Sequence, residues 1–150
     1  MAQTWKDEDI SLDTIKNEIV AVIGYGIQGD AQANNMKDSG LNVIVGLKEG
    51  GASWQKAKDD GHEVLSVADA TKKADIIHIL IPDMVQAKVY KEEIESNLSE
   101  GNALSFSHAA AIYWKWIDAP ENVDLIMVAP KGPGSKVRET YLENFGTPSI

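Results

Sequence analysis

Short runs of apolar, mostly β-branched residues recur along the chain, apolar nearly throughout rather than alternating with polar ones, and this constrains the fold more than any other feature. The runs are Ile19-Val20-Ala21-Val22-Ile23, Val43-Ile44-Val45, Ile76-Ile77-His78-Ile79-Leu80-Ile81 and Val123 to Val128. A strand with one face in water alternates, whereas a strand covered on both faces does not, so these runs predict a buried parallel sheet. Between them, residues 27–39, 53–60, 67–73, 84–97 and 134–145 predict helices, most opened by Gly, Asp, Ser or Pro, and 62–65 and 103–107 supply two weaker strands. Right-handed crossovers stack such units into an α/β fold: a doubly wound, mostly parallel Rossmann-type sheet with helices on both faces.

A chain of 150 residues with 43% hydrophobic content fits one domain of this kind, and no repeat, low-complexity tract or internal linker divides it. The formal charge of −9 argues against a main role in holding nucleic acid or an anionic membrane, while leaving room for a local anion site. The absence of Cys excludes disulfides, thiolate zinc sites and cysteine nucleophiles. The opening residues carry no apolar signal-peptide core and no stretch approaches the ~20 apolar residues of a membrane span, so a soluble, cytoplasmic protein is expected. After residue 145, Gly146-Thr147-Pro148 turns the chain into Ser149-Ile150, which reads as the first step of an uncompleted strand. Either the domain closes on a ragged end or the chain is the front part of a longer protein.

The first strand runs directly into Gly24-Tyr25-Gly26-Ile27-Gln28-Gly29, a G-x-G-x-x-G that opens a helix. Gly24 permits the tight turn, Gly26 lets the backbone approach a pyrophosphate, and Gly29 allows close helix packing on the sheet, with Ala33 and Met36 on the same helical face. A helix N-terminus offers free N–H groups and positive potential to a phosphate. The motif therefore predicts dinucleotide binding; alone, the same glycines also suit a turn that binds nothing. The choice of dinucleotide falls on the end of the second strand, where NAD sites place a carboxylate on the ribose. Here Val45-Gly46-Leu47-Lys48 has a cation and no strand-end acid, which favours NADP, with Lys48, Gly50, Gly51 and Ser53 around the 2′-phosphate. Against this, Lys48 also suits a solvated loop, Ser53 a simple helix cap, and Glu49 blurs the preference.

Three histidines are candidates for chemistry. His62 begins a strand, and His78 lies within an apolar strand as a hydrogen-bonded core residue. His108 follows the strand 103–107 at its carboxyl end, where doubly wound sheets place ligands, and an imidazole there can act as general acid or base. Pro82-Asp83 ends another strand at the same edge, with Asp83 either an N-cap or a cleft residue, and Met84-Val85-Gln86 start the next helix. Lys131, in Pro130-Lys131-Gly132-Pro133-Gly134, is either an electrostatic catalytic group or part of a turn. Tyr113, Trp114 and Trp116 suit packing against a neighbour, and Lys91 to Glu100 suits a solvated helical face.

Four ordered segments carry a family resemblance: VAVIGYGIQGDAQANNMKDSGLNVIVGLKEG, IPDMVQAKVYKEEIESNL, SFSHAAAIYWKWI and VDLIMVAPKGPGSKVRETY. In order and spacing they resemble the amino-terminal domain of ketol-acid reductoisomerase over nearly the whole chain. That family converts 2-acetolactate or 2-aceto-2-hydroxybutyrate to dihydroxy acids of branched-chain amino-acid synthesis, by a magnesium-assisted alkyl shift and hydride transfer from NADPH. The resemblance implies that residues 1–150 form an NADP-binding domain. It implies that Tyr25, Gly26, Ile27 and Gln28 form the pyrophosphate turn and that Lys48, Gly51 and Ser53 face the adenosine phosphate. Asp83, Met84, Val85 and Gln86 would contact cofactor, His108 would be the active-site histidine, and Gly134 a cofactor neighbour.

The chain departs from the family in three places: Lys48 stands where Arg is frequent, Gly51 where Ser is frequent, and Ala109-Ala110-Ala111 follow His108 where many members read Gly-Phe-Asn. The first two remove a bidentate donor and a hydroxyl and soften the NADP preference. The family's magnesium carboxylates and most of its substrate pocket belong to a further, helical domain, so no metal site is assigned here, and magnesium is expected only with that domain. The resemblance implies a small 2-acetohydroxy acid as substrate and a homo-oligomer for the full-length enzyme. The isolated chain is expected to bind cofactor without turnover; the competing reading is a stand-alone nucleotide-binding or regulatory module.

Overall fold

A computed structural model describes residues 5–150. Six strands, β1 (Ile19–Ile23), β2 (Asn42–Gly46), β3 (Glu63–Leu65), β4 (Ile76–Ile79), β5 (Ala103–Phe106) and β6 (Asp124–Met127), form one sheet in the order β3-β2-β1-β4-β5-β6. Every pairing between them is parallel. The order reverses between β1 and β4, and the crevice at the carboxyl ends of those two strands is where doubly wound sheets bind ligands.

Six helices alternate with the strands: α1 (Ile27–Asp38), α2 (Ala52–Asp59), α3 (Val67–Lys73), α4 (Asp83–Val89), α5 (Ala110–Tyr113) and α6 (Gly134–Leu142). Because side chains alternate across a strand, β1 feeds two cores. Val20 and Val22 pack with Ala33 of α1 and Ala57 of α2, while Ala21 and Ile23 pack with Val67 and Ala70 of α3, Tyr90 and Ile94. Covering both faces is what the uniformly apolar strands required, since burial is worth about 25 cal/mol per Å² of apolar surface.

The differences from the sequence reading are local. The helix expected over 84–97 is α4 followed by a π-helical turn at Tyr90–Ile94 and a 3₁₀ turn at Glu95–Asn97. The π turn seats Tyr90 and Ile94 together in the core, and the Tyr90 hydroxyl donates to the Asp118 carbonyl at 3.1 Å. In the acid-rich segment Lys91 is exposed and pairs with Glu95, but Ile94 is buried. Helix α6 stops at Leu142 instead of 145, where Asn144 turns left-handed (φ 56°) and the Phe145 N–H bonds the Thr140 carbonyl. Ser149 forms an antiparallel bridge with Pro130, and Ala129 and Ile150 exchange backbone hydrogen bonds of 2.7 and 3.2 Å. No helix of the described residues is long and apolar enough to cross a membrane.

Candidate functional site

The three glycines of the turn do different work. Gly24 has φ +101° and donates its N–H to the Gly46 carbonyl, and an added Cβ would lie 2.8 Å from the Ile81 side chain. A Cβ on Gly29 would lie 2.2 Å from the Gly24 carbonyl oxygen, so α1 approaches β1 only because that atom is missing. A Cβ on Gly26 would meet nothing within 4 Å. No internal packing demands glycine there. The open space lies at the start of a helix of 12 residues, and it fits a pyrophosphate drawn against the backbone N–H groups.

Around the turn the side chains brace the backbone. Tyr25 is 3% exposed, and its hydroxyl donates to Asp60 at 2.8 Å and accepts from Asn34 at 2.9 Å. Burial, and then the Asp60 carboxylate, push its phenol above the ordinary range, so it stays neutral. Lys56 pairs with Asp30 on α1 and lies over the Tyr25 ring. Gln28 donates to the Gly132 carbonyl at 3.0 Å, tying the glycine turn to the Lys131-containing loop. A Cβ on Gly134 would lie 2.3 Å from the Ile27 carbonyl oxygen, which locks the start of α6 against the start of α1.

Behind the turn, Gln32 donates to Gln28 at 3.0 Å and to Ser107 at 3.2 Å, and its carbonyl oxygen lies 2.9 Å from His78 Nε2. His78 Nδ1 lies 2.9 Å from the hydroxyl of Ser105, its partner in the β4–β5 register. His78 is thus a satisfied core imidazole, and burial pushes its pKa down to about 4. His62 is also buried, which lowers its pKa; its Nδ1 has no partner among the described residues. The i, i+4 spacing of Gln28 and Gln32 was available in the sequence, but their connection to His78 and Ser107 needed the sheet.

At the end of β4, of the two readings of Asp83 the structure excludes the N-cap: Pro82 occupies the cap position, and Asp83 is the first residue of α4. Asp83 Oδ2 instead lies 2.9 Å from His108 Nδ1. Met84 is 88% exposed and Val85 42%, while Gln86 is buried. At the end of β2, Lys48 and Glu49 are both exposed, and Gly50 turns with φ +68°. The role of Ser53 as a cap is corrected as well. The Gly51 N–H closes a turn on the Lys48 carbonyl, so Gly51 takes the cap position and Ser53 lies half-buried in the first turn of α2.

Gly24 to Gln28, Asp83 to Gln86 and His108 therefore converge at the carboxyl ends of β1, β4 and β5, flanked by Lys48 to Ser53 after β2. Lys131 lies on the loop after β6, its side chain exposed and its N–H bonded to the Pro148 carbonyl. Tyr113, Trp114 and Trp116 are exposed beyond His108, with Tyr113 and Trp114 edge to face at 4.8 Å. Among the described residues no group of three His, Asp or Glu side chains is arranged to hold a metal ion, so the residues present do not fit magnesium.

Residues 14–150 match the family model described as acetohydroxy acid isomeroreductase, NADPH-binding domain. The chain belongs to the acetohydroxy acid isomeroreductase family. A ketol-acid reductoisomerase (NADP(+)) of Nitrosopumilus maritimus is 83% identical over all 150 residues, which cover 45% of that relative. One of Cenarchaeum symbiosum is 75% identical, again over the whole chain and 45% of the relative. The chain thus spans about half the length of the curated relatives it matches. Among solved structures, an NADH-preferring ketol-acid reductoisomerase from an uncultured archaeon superposes with a TM-score of 0.93 at 50% identity, covering 95% of this chain and 45% of that one. An imine reductase from Myxococcus stipitatus in complex with NADP+ shares the fold alone, at a TM-score of 0.65 and 21% identity over 79% of this chain and 43% of that one. The chain is thus the NADPH-binding domain of this family.

Proposed function

We propose that this domain works within a cytoplasmic, homo-oligomeric ketol-acid reductoisomerase acting on 2-acetolactate or 2-aceto-2-hydroxybutyrate, and that it prefers NADPH to NADH. The observation that carries the cofactor part is Gly26: an unfilled space at the α1 N-terminus, on the same carboxyl edge of the sheet as His108. The bound cofactor supplies a hydride. The chain's own groups bind, orient and move protons. The turn residues Gly24 to Gly29 receive the pyrophosphate, Lys48, Gly51 and Ser53 face the 2′-phosphate, and Asp83 to Gln86 and Gly134 flank the cofactor. His108 exchanges a proton on the substrate side, and Lys131 adds positive charge at that edge. The carboxylates that hold magnesium would come from the family's helical domain, which completes the enzyme.

The NADPH preference rests on Lys48 and on the lack of a strand-end acid after Gly46. One observation favours the opposite order: the solved relative at 50% identity is NADH-preferring. Calorimetric titration of both cofactors decides between them. Tighter NADPH binding, with Lys48→Glu penalising NADPH far more than NADH, supports the proposal; equal affinities or tighter NADH overturn it. For catalysis, the isolated chain should bind NADPH yet not turn over 2-acetolactate with magnesium present. In the full-length enzyme, His108→Ala should lower kcat at least about a hundredfold with NADPH affinity nearly unchanged. Parental turnover in that variant would reduce His108 to a structural residue.

A further inference from the structure

Asp83 has two oxygens with two different partners. Oδ2 lies 2.9 Å from His108 Nδ1, and Oδ1 accepts from Gln86 Nε2 at 3.2 Å. Gln86 Nε2 also donates to the Ile81 carbonyl at 2.9 Å, and the residue is 4% exposed. The orientation of this amide is fixed by its surroundings. Both neighbours of Nε2 are acceptors, so the NH₂ group must face them, and Oε1 is left buried without a partner among the described residues. A buried amide that forgoes one hydrogen bond to satisfy two acceptors holds the Asp83 carboxylate in place.

The consequence falls on the imidazole. An ionised carboxylate only accepts hydrogen bonds, so His108 Nδ1 must carry the proton that faces it. In the neutral ring Nε2 is then unprotonated, the nitrogen left to exchange a proton with a substrate. We infer that Gln86 and Asp83 are positioning residues which hold His108 as the Nδ1–H tautomer and aim Nε2 at the reaction. This rests on the reading of His108 as a reaction-site residue and goes beyond cofactor contact for Asp83 and Gln86. The connection runs from the backbone just after β4 to His108, two residues after β5, so the geometry of the two strand ends sets the ring.

Two measurements test it. Nitrogen-15 NMR of the histidines in this chain should show the Nδ1–H form of His108 dominant, and Asp83→Asn should weaken that signature, since an amide can donate to Nδ1 as well as accept from it. In the full-length enzyme, Asp83→Asn should lower kcat about tenfold with the NADPH KM changed less than about twofold. Gln86→Met should lower kcat by a smaller factor, and Asp83→Glu should restore part of the loss. A His108 spectrum of the Nε2–H form, or one unchanged by Asp83→Asn, would overturn the inference. So would a variant that raises the NADPH KM at constant kcat, which would make Asp83 a cofactor contact alone. If His108→Ala retains parental kcat, the catalytic reading fails whatever the spectra show. If it does not, while Asp83→Asn behaves as the parent, only the positioning role fails.

Discussion

Strands β1 and β6 are both apolar runs in the same parallel sheet, yet they end in opposite environments. In β1, Val20 to Ile23 are at most 3% exposed; in β6, Leu125, Ile126 and Met127 are 50, 41 and 45% exposed. β1 has β2 and β4 on its two edges and helices on both faces, whereas β6 has β5 on one edge and little helical cover. The helix after β6 packs against α1 rather than over its own strand, leaving an apolar cavity of about 420 Å³ lined by Val20, Met36, Ile126, Val128 and Val137 among others. An apolar run records that a strand can be buried. What buries it is a matter of the neighbours.

The contrast is broken most directly by making one change in both places. Ile77→Ala in β4, where the side chain is fully buried, should cost about 4 kcal/mol, and Ile126→Ala in β6 less than about 1 kcal/mol, by urea denaturation. Equal costs would mean that β6 is covered in solution. The next effect is smaller and depends on pH. His78 titrates at about 4 when folded against 6.5 as the ordinary value, so the unfolded chain takes up its proton first as pH falls. Stability is full above pH 6.5 and is lost progressively towards pH 4, by up to about 3 kcal/mol from this residue. His78→Leu should flatten most of that slope in thermal melts, the remainder belonging to His62, which shifts the same way. An unchanged slope would show His78 to be solvated.

The smallest effects test whether the difference between the two sides extends to the turns. Gly29→Ala, beside β1, and Gly134→Ala, after β6, both drive a Cβ against a backbone carbonyl, and each should cost about 2 kcal/mol. The tightness of the loops is therefore the same on both sides, and only the strand cover differs. Gly26→Ala should change stability by less than about 0.5 kcal/mol while weakening NADPH at least about tenfold, since its Cβ occupies space the protein leaves open. Unaltered NADPH affinity in that variant would remove the cofactor from the turn.

Sequence by itself determined what depends on neighbours in the chain. The sequence reading located all six strands to within two residues at each end, most securely β1 and β4, because a doubly covered strand must be apolar on both faces. The spacing of Gly24, Gly26 and Gly29 located the turn between β1 and α1, because Gly24 and Gly29 answer local steric demands. Tertiary structure alone decided the rest. It broke the expected 84–97 helix with a π turn so that Tyr90 and Ile94 could share one core, and it began α2 early enough to take the cap from Ser53. It also placed Asp83 on His108 and Gln32 on His78. Those pairs lie far apart in the chain and become neighbours only because β4 lies between β1 and β5, a hydrogen-bonding order that no local pattern of residues encodes.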